Sequence, residues 1–278
     1  LFGGAGNDTY VVDSLTDSIT ELDNGGTDTV EASLSWALQQ GDHLENITLT
    51  GTAPINATGN ELNNQLRGNA ADNTLDGGTG ADTMTGLGGN DTYWVDNEFD
   101  SVVEAFLGGT ADRVLASVSH TLAAEVEILE LQGSAPLSGT GNGLGNTIIG
   151  NSGNNTLDGG GGIDTLEGRD GNDTYLVDNS ADVVIETSLS DRDLVIATAS
   201  FVLPARVEDL TLGGVGNIDG TGNDLNNLIT GNDGDNVLDG GLGNDTLVGG
   251  KGNDTYVVDA AGDIITELDL SLIHISEP

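Results

Sequence analysis

TGNGLGNTI, IGNSGNNTL, DGGGGIDTL and EGRDGNDTY follow one another without a gap from Thr140 to Tyr175. Each is nine residues long, opens on a glycine-containing turn and closes on one apolar or aromatic residue, in order Ile148, Leu157, Leu166 and Tyr175. One inward side chain per nonapeptide is what a thin stacked core needs, so the stretch predicts short parallel strands wound into a solenoid. The polar half of the period is as regular. Glycine-rich six-residue turns closed by aspartate run from Gly3 to Asp8, Gly77 to Asp82, Gly86 to Asp91, Gly159 to Asp164, Gly168 to Asp173, Gly240 to Asp245 and Gly249 to Asp254. Glycine takes positive φ without a Cβ penalty, so such a turn can aim carbonyl oxygens inward while the aspartate adds a carboxylate. Together these form an oxygen cage suited to a hard cation, calcium above all. The first-tier ligands predicted are therefore Asp8, Asp82, Asp91, Asp164, Asp173, Asp245 and Asp254, with turn backbone at Gly3, Gly77, Gly86, Gly159, Gly168, Gly240 and Gly249.

Weaker copies grade away from this pattern. The turns GNELNN, GNGLGN and GNDLNN place Leu62, Leu144 and Leu225 where glycine is expected and end in asparagine. A β-carbon at a position wanting positive φ, with no carboxylate, predicts weak or absent metal binding. Asn73, Asn155 and Asn236 close intermediate turns, since an amide oxygen can ligate without adding charge. Past Tyr10 and its equivalents the register continues with the glycine pattern lost but keeps an aspartate at Asp17, Asp100, Asp182 and Asp263. These and the three asparagines form a second tier; the four aspartates are read equally well as ligands completing a site begun 18 residues earlier or as Asx caps of solvated turns.

A longer period lies above the nonapeptide. GNDTY begins at Gly6, Gly89, Gly171 and Gly252, spacings of 83, 82 and 81 residues. This divides the chain into a partial first module over 1–57, a second over 58–139 with turns at 58–103, a third over 140–220 with turns at 140–185, and a truncated fourth over 221–269. Between turn tracts the sequence alternates with period two, as in Val30, Ala32, Leu34, Trp36 and Leu38, then continues as LENITL, VEILEL and VEDLTL from Leu44, Val126 and Val207. Strand character on both sides of the turns, with almost no helical periodicity, predicts an all-β parallel β-roll or β-solenoid. At about 18 residues per coil it would form a rod on the order of 70 Å long. LSLIHISEP, over 270–278, breaks from the repeat and reads as adapter-derived sequence outside the fold. The chain also begins inside a repeat, so it reads as a piece of a longer protein.

Composition narrows the function. Six Lys+Arg against 46 Asp+Glu give a net charge of −40, which excludes a nucleic-acid partner and opposes binding to anionic membranes. A hydrophobic fraction of 36% with 4% aromatics and 44 glycines leaves little for a globular core, so the metal-free chain is expected to be expanded. No cysteine is present to brace it, which leaves metal as the available staple. No apolar run reaches the length of a membrane span and no signal peptide is visible. The histidines offer no catalysis: His120 takes the place of Trp36 and Phe201 in the other modules and so reads as a core-facing or half-buried strand residue. His43 sits in a polar connection, and His274 lies in the excluded tail. No HExxH, GxSxG, cysteine nucleophile or P-loop occurs, so the segment is expected not to be an enzyme. The four aligned tyrosines, Tyr10, Tyr93, Tyr175 and Tyr256, are expected to pack inward.

The GGxGxD turns in nonapeptide register resemble the haemolysin-type calcium-binding repeats of bacterial RTX proteins. That resemblance implies several calcium ions bound between stacked turns, export by type I secretion machinery, and folding outside the cell. Two roles follow for the parent protein: a calcium-rigidified spacer in a secreted adhesin-like protein, with an unidentified cell-surface or matrix receptor, or the non-catalytic appendage of a secreted metalloprotease, lipase or alginate epimerase.

Overall fold

The computed structural model describes residues 1–23, 25–188 and 190–267, together with the backbone of 274–276. Of the tail at 270–278 only the backbone of 274–276 is described, and it pairs as a parallel strand with Thr255–Val257; the rest lies outside the described residues. The described chain is built from strands of two to four residues, with no helix among them, and the strand pairs are parallel. It forms two compact units, Leu1–Gln132 and Gly133–Pro278.

In the first unit successive strands from Thr29–Ala32 to Arg113–Ala116 alternate between two sheets. One sheet orders Thr9–Val12, Thr29–Ala32, Asn46–Leu49, Gln65–Arg67, Thr83–Thr85 and Ser101–Val103. The other orders Trp36–Ala37, Ala57–Thr58, Thr74–Asp76, Thr92–Val95, Arg113–Ala116 and Ile128–Leu131. The second unit carries a long sheet from Ser138–Thr140 through Thr174–Val177 and Asp209–Leu212 to Ile264–Thr266, with shorter runs over 147–185 and 201–276. Chain that crosses from sheet to sheet every nine residues returns to the same sheet after 18, which is the register seen in Leu66 with Met84 and Leu75 with Tyr93. The architecture is the expected β-solenoid.

The middle residue of the three-residue strands in the turn tracts points inward. Leu66, Leu75, Met84, Ile148, Leu157, Leu166, Ile229, Leu238 and Leu247 are all essentially inaccessible. Threonine, small and β-branched, precedes many of them on the outer face, where a pleated strand accepts it. The segments between turn tracts continue the same two sheets and add their own inward ladder through Val30, Ile47, Val114 and Leu129. The alternation from Val30 to Leu38 is not one strand, however. It is cut at Ser33–Ser35 into Thr29–Ala32 and Trp36–Ala37, which lie in different sheets, so Leu34 and Trp36 are only half-buried while Val30, Ala32 and Leu38 are buried. His120 occupies the matching corner and is likewise half-buried.

Candidate metal centres

The residue immediately before each strand is the key position. Along the first sheet it is Asp8, Asp28, Glu45, Asn64, Asp82 and Asp100 in turn. These residues are linked coil to coil: Asp8 N–H donates to Asp28 Oδ1 at 2.7 Å and Asp28 N–H to Glu45 Oε2 at 2.8 Å. Asn64 N–H donates to Asp82 Oδ1 at 2.7 Å, and Asp82 N–H to Asp100 Oδ1 at 3.0 Å. On the opposite sheet Asn73 donates to Asp91, Asp91 to Asp112 and Asp112 to Glu127. The second unit repeats the ladder through Asn155, Asp173, Asp193 and Glu208, through Asn146, Asp164 and Asp182, and through Asn227, Asp245 and Asp263.

Each first-tier carboxylate from Asp82 onward thus spends Oδ1 on a backbone amide. Its other oxygen has no partner: Oδ2 of Asp8, Asp82, Asp91, Asp164, Asp173, Asp245 and Asp254 is buried without a hydrogen bond, as is Oδ2 of Asp28 and Asp112. A buried ionised oxygen with nothing to neutralise it is costly, which is the condition a bound cation relieves. Burial pushes Asp82, Asp91, Asp173 and Asp193 up to about 7, partly opposed by the amide on Oδ1 and reinforced by neighbouring carboxylates. The same cause raises Asp112, Asp164, Asp245 and Asp254.

The glycines divide two tasks. The first glycine of each turn, Gly3, Gly77, Gly86, Gly159, Gly168, Gly240 or Gly249, is not in a left-handed conformation. It is glycine because a β-carbon there would collide with the turn's own Asp Oδ2. Positive φ belongs to later positions, such as Gly78 at 77° and Gly80 at 148°. There the upstream coil approaches closely, and a β-carbon on Gly78 would meet the Asn60 carbonyl oxygen at 2.5 Å. Carbonyl oxygens of one turn and carboxylates of the next therefore face a common gap. Leu62, Leu144 and Leu225, which stand where positive φ was expected, are not left-handed. The left-handed non-glycine residues of the turns are instead Leu87 at 84° and Arg169 at 79°.

The second tier is placed differently. Asn73 Oδ1 accepts the Asn69 N–H at 2.8 Å, and its Nδ2 donates to the Ile55 carbonyl at 2.6 Å. Asn155 and Asn236 do the same with Asn151 and Leu137, and with Asn232 and Ile218. An amide NH₂ thus satisfies the carbonyls that a carboxylate alone would repel. Oδ2 of Asp100 and of Asp263 each caps two backbone amides of its own loop, at 3.0 to 3.2 Å, as Asp17 Oδ2 does, and Asp182 Oδ2 caps one. Oδ1 of Asp100, Asp182 and Asp263 meets the turn aspartate 18 residues before it.

Two groups of residues were not picked out by sequence. The tyrosines are buried as expected, but each hydroxyl donates to a glutamate eleven residues on: Tyr10 to Glu21, Tyr93 to Glu104, Tyr175 to Glu186 and Tyr256 to Glu267. Asp28, Asp112 and Asp193 close turns of their own within the strand tract. One oxygen from each of Asp8, Glu21 and Asp28 lies within 4.8 Å of the others, and so do those of Asp91, Glu104 and Asp112 and of Asp173, Glu186 and Asp193. The constant tyrosine-to-glutamate spacing, and the GGTD of 25–28 echoed as GGTAD at 108–112, are the signals that identify them. Of the histidines, His43 is left-handed with Nδ1 4.0 Å from Asp23, and burial lowers His120 below the usual imidazole range.

No helix among the described residues is long and apolar enough to cross a membrane. No curated protein matches the chain. The profile of the RTX calcium-binding nonapeptide repeat matches it in four copies, over residues 1–19, 58–93, 140–183 and 221–256, within which the seven Gly–Asp turns fall. That repeat is a structural calcium-binding unit rather than a catalytic one. With parallel two-sheet coils and Gly–Asp turns in nonapeptide register, the chain belongs to the RTX calcium-binding nonapeptide repeat family.

Proposed function

We propose that this chain is a calcium-gated folding module of a secreted protein, in which ions seated between stacked Gly–Asp turns convert an expanded polyanion into a spacer. The observation that carries this reading is the buried, unpartnered Oδ2 on every one of the seven first-tier aspartates. A net charge of −40 opposes stacking those carboxylates until a cation neutralises them, so metal binding and folding are one event. Calcium fits better than magnesium, because carbonyls and carboxylates from two coils make an irregular, many-oxygen shell, whereas magnesium demands octahedral geometry and keeps its waters. Asn73, Asn155 and Asn236, satisfied by hydrogen bonds, stand outside the ion sites in this reading, and Asp17, Asp100, Asp182 and Asp263 hold the loops beside them. The modules of about 82 residues are the repeating units of the spacer, and the low calcium of a cytosol would leave the chain unfolded for export.

The test is far-UV circular dichroism of the chain during a calcium titration, with magnesium as the control. The expected result is a coil spectrum in chelator that turns to β-sheet at about millimolar calcium and not with magnesium. A β-sheet spectrum already complete in chelator at neutral pH would overturn the reading.

A further inference from the structure

The stacked turns are not all alike. Within the nonapeptide tracts turn-closing residues are linked at 18-residue spacing, but Asp8 reaches Asp28 across 20 residues, Asp91 reaches Asp112 across 21 and Asp173 reaches Asp193 across 20. The extra residues form a loop that brings a glutamate back over the turn. In the second module Glu104 Oε1 accepts the Tyr93 hydroxyl and Oε2 accepts the Ala105 N–H at 3.1 Å, which fixes the carboxylate with lone pairs to spare. Glu186 is held in the same way by Tyr175 and by Thr187 N–H at 3.1 Å, and Glu21 by Tyr10 and by Leu22 N–H at 2.8 Å. Glu21 and Glu186 are each 8% exposed. A β-carbon at Gly86 or Gly168 would strike the tyrosine hydroxyl, the aspartate Oδ2 and the glutamate together, whereas at Gly77 the three nearest atoms all belong to Asp82.

We propose that Asp8–Glu21–Asp28, Asp91–Glu104–Asp112 and Asp173–Glu186–Asp193 form a second class of calcium centre, completed by ligands from outside the nonapeptide repeats. Three observations converge. Oxygens of the three carboxylates lie within 4.8 Å of one another in each module. Asp91 and Asp112 are fully buried and their Oδ2 atoms have no partner, as is true of Asp28. The second aspartate and the glutamate lie beyond the residues matched by the repeat profile, in the tract that otherwise supplies only strands. Three carboxylates around one ion give a higher ligand charge than a turn site with a single unpartnered carboxylate, so these centres bind more tightly. They also tether the turn tract to the strand tract of the same module. The tyrosine is a positioning residue that holds the glutamate in place. The inference rests on the reading that the chain binds calcium.

The test counts calcium bound to the whole chain by equilibrium dialysis, in wild type and in Glu21→Gln/Glu104→Gln/Glu186→Gln, which keeps an amide oxygen to accept from each tyrosine while removing the charge and one acceptor oxygen. The expected result is three fewer tightly held ions, with the remaining sites still filled. An unchanged count at unchanged affinity would reduce the glutamates to partners of tyrosine and overturn the proposal. Where the triple variant fails to reach the wild-type dichroism in saturating calcium, the comparison moves to Glu104→Asp, which retains the charge on a shorter arm. A ligand role then predicts one ion weakened roughly tenfold, and no weakening overturns it. Wild type that binds no calcium at all would instead sink the calcium-gated reading itself.

Discussion

At the closing position of a turn, aspartate and asparagine differ by one atom type and produce two kinds of coil. Asn155 donates its NH₂ to the Leu137 carbonyl, while Asp164, nine residues later, presents a bare oxygen at the corresponding place. Asp164→Asn is therefore expected to turn an ion site into a hydrogen-bonded one, leaving the chain with one calcium fewer and more β-sheet in chelator. Asp164→Ala removes in addition the acceptor of the Asn146 N–H, which should cost about 1–3 kcal/mol and raise the calcium midpoint; circular dichroism titrations of both variants check the contrast. Glycine is tested in the same way. Gly77→Ala drives a β-carbon into the Asp82 carboxylate and is expected to destabilise by about 1–3 kcal/mol in urea unfolding, whereas Gly143→Ala, which meets nothing within 4 Å, should stay within about 0.5 kcal/mol of wild type.

Among the elements, the nonapeptide strands were the most legible part of the sequence, because one apolar residue per nine leaves a single way to bury it. Leu75 shows what each such residue carries. It is fully buried between coils, and Leu75→Ala is expected to cost about 2–4 kcal/mol, measured as a shift in the urea midpoint at saturating calcium. The alternation from Val30 to Leu38 was misleading, since a period of two does not reveal a corner: Ser33–Ser35 turns the chain from one sheet to the other while the alternation runs on. The ligating turns were legible where glycine and aspartate coincide. Asp28, Asp112 and Asp193 escaped because their turns have lost glycines or gained residues, and the tyrosines were read as packing because burial hides the hydroxyl's partner eleven residues away.

For the molecule as a whole, charge decides the response to pH. Folding without metal raises Asp82, Asp91, Asp173, Asp193 and Glu186 to about 7 by burial, above their values in an unfolded chain. Their contribution to the metal-free fold is then fully present below about pH 4 and is lost as pH rises through about 7. In chelator, β-sheet dichroism is expected to grow as pH falls from 8 to 5. In calcium the dependence should reverse, since protons compete with the ion for the same oxygens. A signal in chelator that does not change with pH would contradict the assignment of these carboxylates as the barrier to folding. The amide-to-carboxylate ladder has a further consequence. Within each unit these links point one way, from the upstream amide to the downstream carboxylate. A partly assembled stack is therefore like a polar crystal with unlike faces. Its upstream face shows carboxylate oxygens and its downstream face shows N–H groups. A coil arriving upstream brings the N–H groups that the exposed carboxylate oxygens lack, and one arriving downstream delivers the oxygen that the exposed amides lack, so growth at either end makes the same bond while the two faces show opposite polarity to solvent.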